Sequence, residues 1–268
     1  MNLKTDKLNI LILVNTLQNV NQFIYSNHIE FFTWTAKNYP NIDFKFFSPV
    51  RMSIDNARNT AATLAMRYEC DYLMFIDDDV LIPKDTLVHL LEANKDVCAG
   101  LVIIRGMPFH VMAFKFSKDN PMQLTNYDEL PLHVTCKQDH EFFKLDCKDC
   151  EIAYLEPLVR CDAVGFSCCL IKTDILKPLE PPYFLTGPNH TEDVYFCLKL
   201  RELEPIPSIY MNTSVRCGHL LNPEPIEFGT IKKFKSFYEE EYELLNMKFQ
   251  RDEAHIQRCL VSLEGFRE

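Results

Sequence analysis

Short, almost wholly apolar runs alternate with amphipathic stretches through the N-terminal part of the chain, and this alternation limits what it can become. Leu8–Val14, Tyr72–Ile76 and Val97–Ile104 contain hardly a polar residue, the pattern of strands buried on both faces. Asp43–Val50 reads as a further strand, closing in a turn at Ser48-Pro49. Between the strands, Asn21–Asn38 carries Phe23, Ile24, His28, Phe31, Phe32 and Thr35 at helical spacing. Ser53 is a predicted N-cap for a helix that presents Ala57, Ala61, Leu64, Ala65 and Tyr68 on one face. Pro83–Asn94 reads as a helix with proline at its start and Leu87, Leu90 and Leu91 inward. Strand and helix in turn predict an α/β protein with a mostly parallel central sheet flanked by helices.

The alternation breaks at Arg105. From about 105 to 158 the chain carries prolines, short strand-like runs and clustered cysteines, as an insertion would. Leu158–Lys172 then predicts a hairpin-like pair of strands around Gly165, followed by a helix at Glu192–Leu203 and a strand at Ser208–Asn212. A main domain over 1–228 and a charged, helical C-terminal extension over 229–268 complete the reading. No run approaches the roughly 20 apolar residues of a membrane span. The N-terminal MNLKTDKLNILILVNT reads as a first buried strand rather than a signal peptide. A net charge of −10 disfavours a general nucleic-acid-binding surface. Eleven cysteines, several inside apolar patterns, favour a reducing, cytoplasmic setting.

The chemistry concentrates at Tyr72–Pro83, YLMFIDDDVLIP. An apolar strand runs straight into Asp77, Asp78 and Asp79, at the strand end where open α/β sheets bind ligands. Like charges so placed repel unless a cation sits among them, and a divalent metal shared with substrate phosphates is the natural partner. If the segment stays extended, Asp77 and Asp79 point the same way and Asp78 the other. A solvated acidic turn before the next helix is the plainer alternative.

Four pieces, NARNTAATLAMRYECDYLMFIDDDVLIP, CDAVGFSCCLIKTDIL, TEDVYFCLKLRE and RCGH, stand in an order and spacing similar to family 2-type glycosyltransferases of the GT-A fold. They span Asn56 to His219. The resemblance implies a UDP- or GDP-sugar held through Mn²⁺ or Mg²⁺ by the aspartates of a DxD motif, with Asp77 and Asp78 toward the nucleotide and Asp79, together with Asp77, on the metal. It implies that Asn15, Thr16 and Leu17 line the base pocket. Asp55, Asn56 and Arg58 would lie near the nucleotide, with the Arg58 guanidinium facing phosphate; a surface salt bridge is its alternative. TEDVYF would supply the general base that activates the acceptor hydroxyl with inversion, Asp193 first and Glu192 second, although both also suit a helix N-terminus. His219 would complete the metal shell. Gly165 and Phe166 would floor the donor-sugar site and Ser167 hydrogen-bond the sugar, unless that stretch is simply a core strand. The acceptor class, whether glycan, protein, lipid or modified nucleobase, is open. So is the location beyond a cytoplasmic, microbial or viral setting.

Cys136, Cys147, Cys150 and Cys161, with His133 and His140 nearby, have a spacing that a structural Zn²⁺ site would accept, although free thiols in a loop fit it too. Two other functions compete. A haloacid-dehalogenase-type phosphatase also ends an apolar strand in DxD, but there the motif follows the first strand and Thr or Val stands where this chain has Leu81. A non-catalytic GT-A-like domain binding a nucleotide or glycan is the other.

Overall fold

The computed structural model describes residues 2–16, 20–105, 110–116, 157–188 and 190–221, and the backbone of short strands at 124–126, 132–136, 150–155 and 224–226. All lie within one compact unit, Met1–Phe228. The predicted extension over 229–268 and much of the predicted insertion lie outside the described residues.

The elements follow the predicted order. β1 (Leu8–Asn15), α1 (Gln22–Asn38), β2 (Ile42–Phe47), α2 (Ile54–Arg67) and β3 (Tyr72–Asp77) come first. Then come β4 (Val80–Leu81), α3 (Thr86–Ala93) and β5 (Val97–Leu101). The insertion contributes β6 (Ala113–Phe116), β7 (Leu124–Asn126), β8 (Leu132–Cys136) and β9 (Cys150–Leu155). After it run β10 (Leu158–Arg160), β11 (Ala163–Val164), β12 (Cys168–Lys172), α4 (Glu192–Leu200), β13 (Ile209–Arg216), β14 (Gly218–Leu221) and β15 (Glu224–Ile226).

Seven strands form the central sheet in the order β10-β13-β5-β12-β3-β1-β2. β2, β1, β3, β5 and β13 run one way; β12 and β10 run against them. This is a mixed α/β, Rossmann-like sheet. The chain steps from β1 outward to β2 and then back to β3 on the other side, so the order reverses between β1 and β3. A crevice for ligands opens at such a reversal, at the carboxyl ends of the strands.

Side-chain alternation along the strands divides the core in two. Ile10, Ile12, Met74 and Ile76 pack with Phe31 of α1 and Leu87, Leu90 and Leu91 of α3. The intervening Leu11, Leu13, Leu73 and Phe75 are equally buried and face the other way. α2 packs against β1 and β3, and its buried Ala57, Ala61, Ala62 and Ala65 let the helix come close. Strands covered on both faces need apolar side chains at every position, which explains the unbroken runs.

The structure corrects the sequence reading in two places. Leu158–Lys172 is not a hairpin: β10 pairs with β13 at the sheet edge, β11 pairs with β6, and β12 lies antiparallel between β3 and β5. Each segment is apolar enough for a buried strand, and no local signal tells one partner from another. Pro83 is not the first residue of α3. Asn27 of α1 bonds both the N–H and the C=O of Ile82 (2.8 Å each) and holds the chain extended there. A turn from Pro83 O to Thr86 N (3.1 Å) follows, and the helix begins at Thr86. It ends where Asn94 turns left-handed at φ 47°. Ser53 occupies the N-cap of α2 as predicted, though without a side-chain capping bond.

Candidate functional site

The site begins with the end of β3. Asp77 is the last residue of the strand, paired in register with Asn15 at the end of β1, and donates its N–H to Ser167 O at 2.9 Å. Asp78 and Asp79 then form a turn. The alternation argument therefore stops at Asp77. The turn, not strand geometry, brings the carboxylates together, and Asp77 feels the charges of both Asp79 and His219.

His219 arrives from far along the chain. β14 pairs antiparallel with β4, setting His219 opposite Val80, and Leu220 N donates to Asp79 O at 2.8 Å. Nδ1 of His219 lies 2.7 Å from the Ile103 carbonyl. A carbonyl only accepts, so Nδ1 carries a proton, and Nε2 is turned toward Asp79. Nε2 is 3.4 Å from Asp79 Oδ1, and Oδ1 is buried with no hydrogen-bond partner. On the other side, Arg105 Nη1 lies 2.9 Å from Asp79 Oδ2. Burial works to raise the Asp79 carboxyl, but His219 and Arg105 outweigh it and hold it below its usual value.

Arg58 is the second centre. The sequence reading turned it toward a phosphate, with a surface salt bridge as the alternative; burial rules out the surface alternative. Its side chain is 3% exposed, with Nη1 2.5 Å from Glu192 Oε1 and Nη2 3.5 Å from Asp77 Oδ1. The guanidinium carbon lies 5.5 Å from the ring centres of both Phe75 and Phe166. Phe166 and Phe75 stack, and Phe184 and Phe196 complete the aromatic cluster. A delocalised, weakly hydrated cation tolerates such a site far better than lysine would. Burial pushes both Asp77 and Glu192 above the usual carboxylate range, while Arg58 pulls each of them down. Arg58 thus joins the end of β3 to the start of α4.

At that helix start, Asp193 Oδ1 accepts from the Thr191 hydroxyl and from Val194 N–H (2.8 Å). Thr191 stands at the N-cap, but its hydroxyl serves Asp193 rather than the backbone. Glu192, the second candidate base, is held by Arg58.

The other predicted residues divide. Thr16 bridges to Val50 across the end of β1 and is buried; its Oγ1 and Asn15 Oδ1 are buried without partners. Leu17 lies outside the described residues. Asp55 is held below its usual value chiefly by the Ser53 hydroxyl, and Asn56 is exposed. Ser167 is buried and reaches the Asp77 carboxylate. Gly165 donates to Met112 O, and a Cβ there would meet Met112 Cε at 2.3 Å, so this glycine is demanded by packing. Cys161 is placed differently from the zinc reading: it is a core thiol bonded to Val159 O, and burial pushes it up to about 12. Cys136 and Cys150 face each other in the β8–β9 register; their side chains, and Cys147, His133 and His140, lie outside the described residues.

Two contributors escaped the sequence reading. Arg105 is a charge directly after an apolar strand, the same signal that flagged the aspartates, and could have been found by it. Asn59 accepts from Tyr183 N (2.8 Å) and Phe184 N (3.1 Å) and fixes the segment before α4 to α2. Nothing local marks it.

No family model matches the chain, and no curated protein matches it in sequence. Solved structures align along most of its length. The A197 protein from STIV is 18% identical over 80% of this chain and 86% of its own, with a TM-score of 0.43. HddC from Yersinia pseudotuberculosis, complexed with GMP-PN, is 10% identical over 79% and 93%, with a TM-score of 0.36. An apo UDP-glucose pyrophosphorylase is 10% identical over 86% and 82%, with a TM-score of 0.33. Likeness this shallow carries no argument about function. The functional reading rests on the site itself. Among the described residues, no helix is long and apolar enough to cross a membrane.

Proposed function

We propose that this protein is a metal-dependent glycosyltransferase of the GT-A type, moving a sugar from a UDP- or GDP-sugar to an acceptor hydroxyl. One observation carries the reading. At the sheet's reversal point, Asp79 turns a buried Oδ1 that accepts no hydrogen bond toward His219 Nε2, 3.4 Å away. With the imidazole neutral and its proton on Nδ1, both atoms are acceptors, and a cation between them would satisfy both. The donor set of carboxylate oxygen and imidazole nitrogen fits Mn²⁺, and Mg²⁺ less well. Among the described residues no group of three or more His, Cys, Asp or Glu side chains is arranged for a metal ion. Asp79 and His219 would hold the ion, with Asp77 beside them, and phosphate oxygens and water would fill the remaining positions.

When bound, the ion supplies positive charge for the diphosphate that leaves. The chain's own residues do the rest. The partnerless Asn15 Oδ1 and Thr16 Oγ1 at the end of β1 receive donor groups of the nucleotide. Asp193 is the general base. With Oδ1 taken by Thr191 and Val194, Oδ2 accepts the acceptor's hydroxyl proton. The acceptor oxygen bonds to the anomeric carbon as the bond to the diphosphate breaks on the opposite face, inverting the centre. Arg58 neutralises Glu192 beside the base and Asp77 beside the donor, keeping both halves of the site in register.

The test is thermal stability against UDP, GDP and their sugars, each with Mn²⁺, Mg²⁺ or EDTA. Ligand at 100 times its dissociation constant adds about 2.7 kcal/mol. A metal-dependent shift that disappears in Asp79→Ala supports the reading. No shift with any nucleotide, in protein that is folded, leaves a non-catalytic domain.

A further inference from the structure

We propose that Arg105 is a donor-binding residue of this site: it pairs with Asp79 while the site is empty and passes to the diphosphate when nucleotide and cation arrive. The inference rests on the metal-dependent reading above.

Three observations lead to it. Asp79 is shared unequally. Oδ2 lies 2.9 Å from the Arg105 guanidinium, whereas Oδ1 is left to His219. A divalent ion seated at Oδ1 and Nε2 therefore arrives beside a cation already in place, and the two compete for one carboxylate. Second, Arg105 is open to solvent. Its side chain is 51% exposed, against 25% for Asp79. The backbone just before it is fixed, because Ile103 O is bound to His219 Nδ1 and Ile104 N to His110 O (2.8 Å). An exposed guanidinium on an anchored stem can turn to another anion without disturbing the fold. Third, the site needs it. Among the described residues, Arg58 pairs with Asp77 at the end of β3 and Arg105 with Asp79, and Arg58 is sealed among Phe75, Phe166, Glu192 and Asp77. Arg105 is the one of the two that solvent, and hence a diphosphate, can reach. Its planar fork matches a pair of phosphate oxygens.

The two roles predict opposite effects of one substitution. In full-length Arg105→Ala, Mn²⁺ alone, titrated by the loss of its free-ion EPR signal, binds several-fold more tightly than in wild type, because the competitor at Asp79 is gone. In the same protein UDP or GDP, whichever wild type binds with Mn²⁺, binds about tenfold to a hundredfold more weakly, the worth of a charge-assisted hydrogen bond. Arg105→Lys keeps the charge without the fork and falls between the two on nucleotide. Unchanged nucleotide affinity in Arg105→Ala overturns the proposal, as does a change of both affinities in the same direction, which marks a structural role. Wild-type protein that binds neither Mn²⁺ nor nucleotide overturns the metal-dependent reading and this inference together.

Discussion

Replacing Arg58 by methionine keeps most of the side chain's volume and removes the cation shared by two carboxylates. The wild-type pairing is largely dry: Arg58 is 3% exposed, Glu192 10% and Asp77 27%. Breaking a buried ion pair from one side costs about 3–5 kcal/mol, because the partner's charge stays behind in low dielectric. At roughly 2–4 °C per kcal/mol for a domain of this size, the midpoint of thermal unfolding falls by roughly 6–20 °C. The loss depends on pH with a definite sign. Glu192 and Asp77 already sit above the usual carboxylate range, with burial as the main cause and Arg58 opposing it. Without Arg58 both rise further. Above the ordinary carboxylate range the native variant then binds more protons than its unfolded chain, so its stability falls as pH rises. The deficit against wild type is therefore smaller at pH 5 than at pH 8. Urea denaturation of both proteins in EDTA at the two pH values measures it. Adding Glu192→Gln to Arg58→Met removes the stranded charge and recovers part of the loss. A deficit below about 1 kcal/mol, or one that does not change with pH, would refute the reasoning and show that solvent screens the pair.

Two further outcomes follow from packing. Gly165→Ala sets a Cβ against Met112 Cε at 2.3 Å and Met112 Cβ at 2.9 Å, and overpacking of this kind lowers stability by about 1–3 kcal/mol; thermal unfolding indistinguishable from wild type would contradict the described packing. The buried thiols of Cys70, Cys98, Cys161, Cys168, Cys169, Cys197 and Cys217 resist an alkylating reagent in native protein and react after denaturation, with Cys98 and Cys161 pushed up to about 12 by burial; peptide mapping that finds either of those two labelled as fast in native as in unfolded protein would disprove it.

What the sequence determined by itself was each segment's local state. The apolar runs that became β1, β3 and β5, the inward faces of α1, α2 and α3, and carboxylates at the end of β3 were all readable, because periodicity records which side of an element meets the core. The α/β class followed from their order. What only the tertiary structure decided was partnership. β12 entered between β3 and β5 although it read as half of a hairpin. β4 met β14 and so carried His219 to Asp79. Arg58 turned inward to Glu192, and Asn59 reached the backbone of Tyr183 and Phe184. Arg105 closed on Asp79. A buried strand is apolar whichever neighbour it has, and a charged side chain reads the same facing water or an ion-pair partner distant in sequence. These choices are settled by which long-range arrangement buries the apolar surface while leaving the fewest polar groups without partners. Asp79 Oδ1, Asn15 Oδ1 and Thr16 Oγ1, which that arrangement leaves unsatisfied at the mouth of the sheet, are the groups on which the functional reading stands.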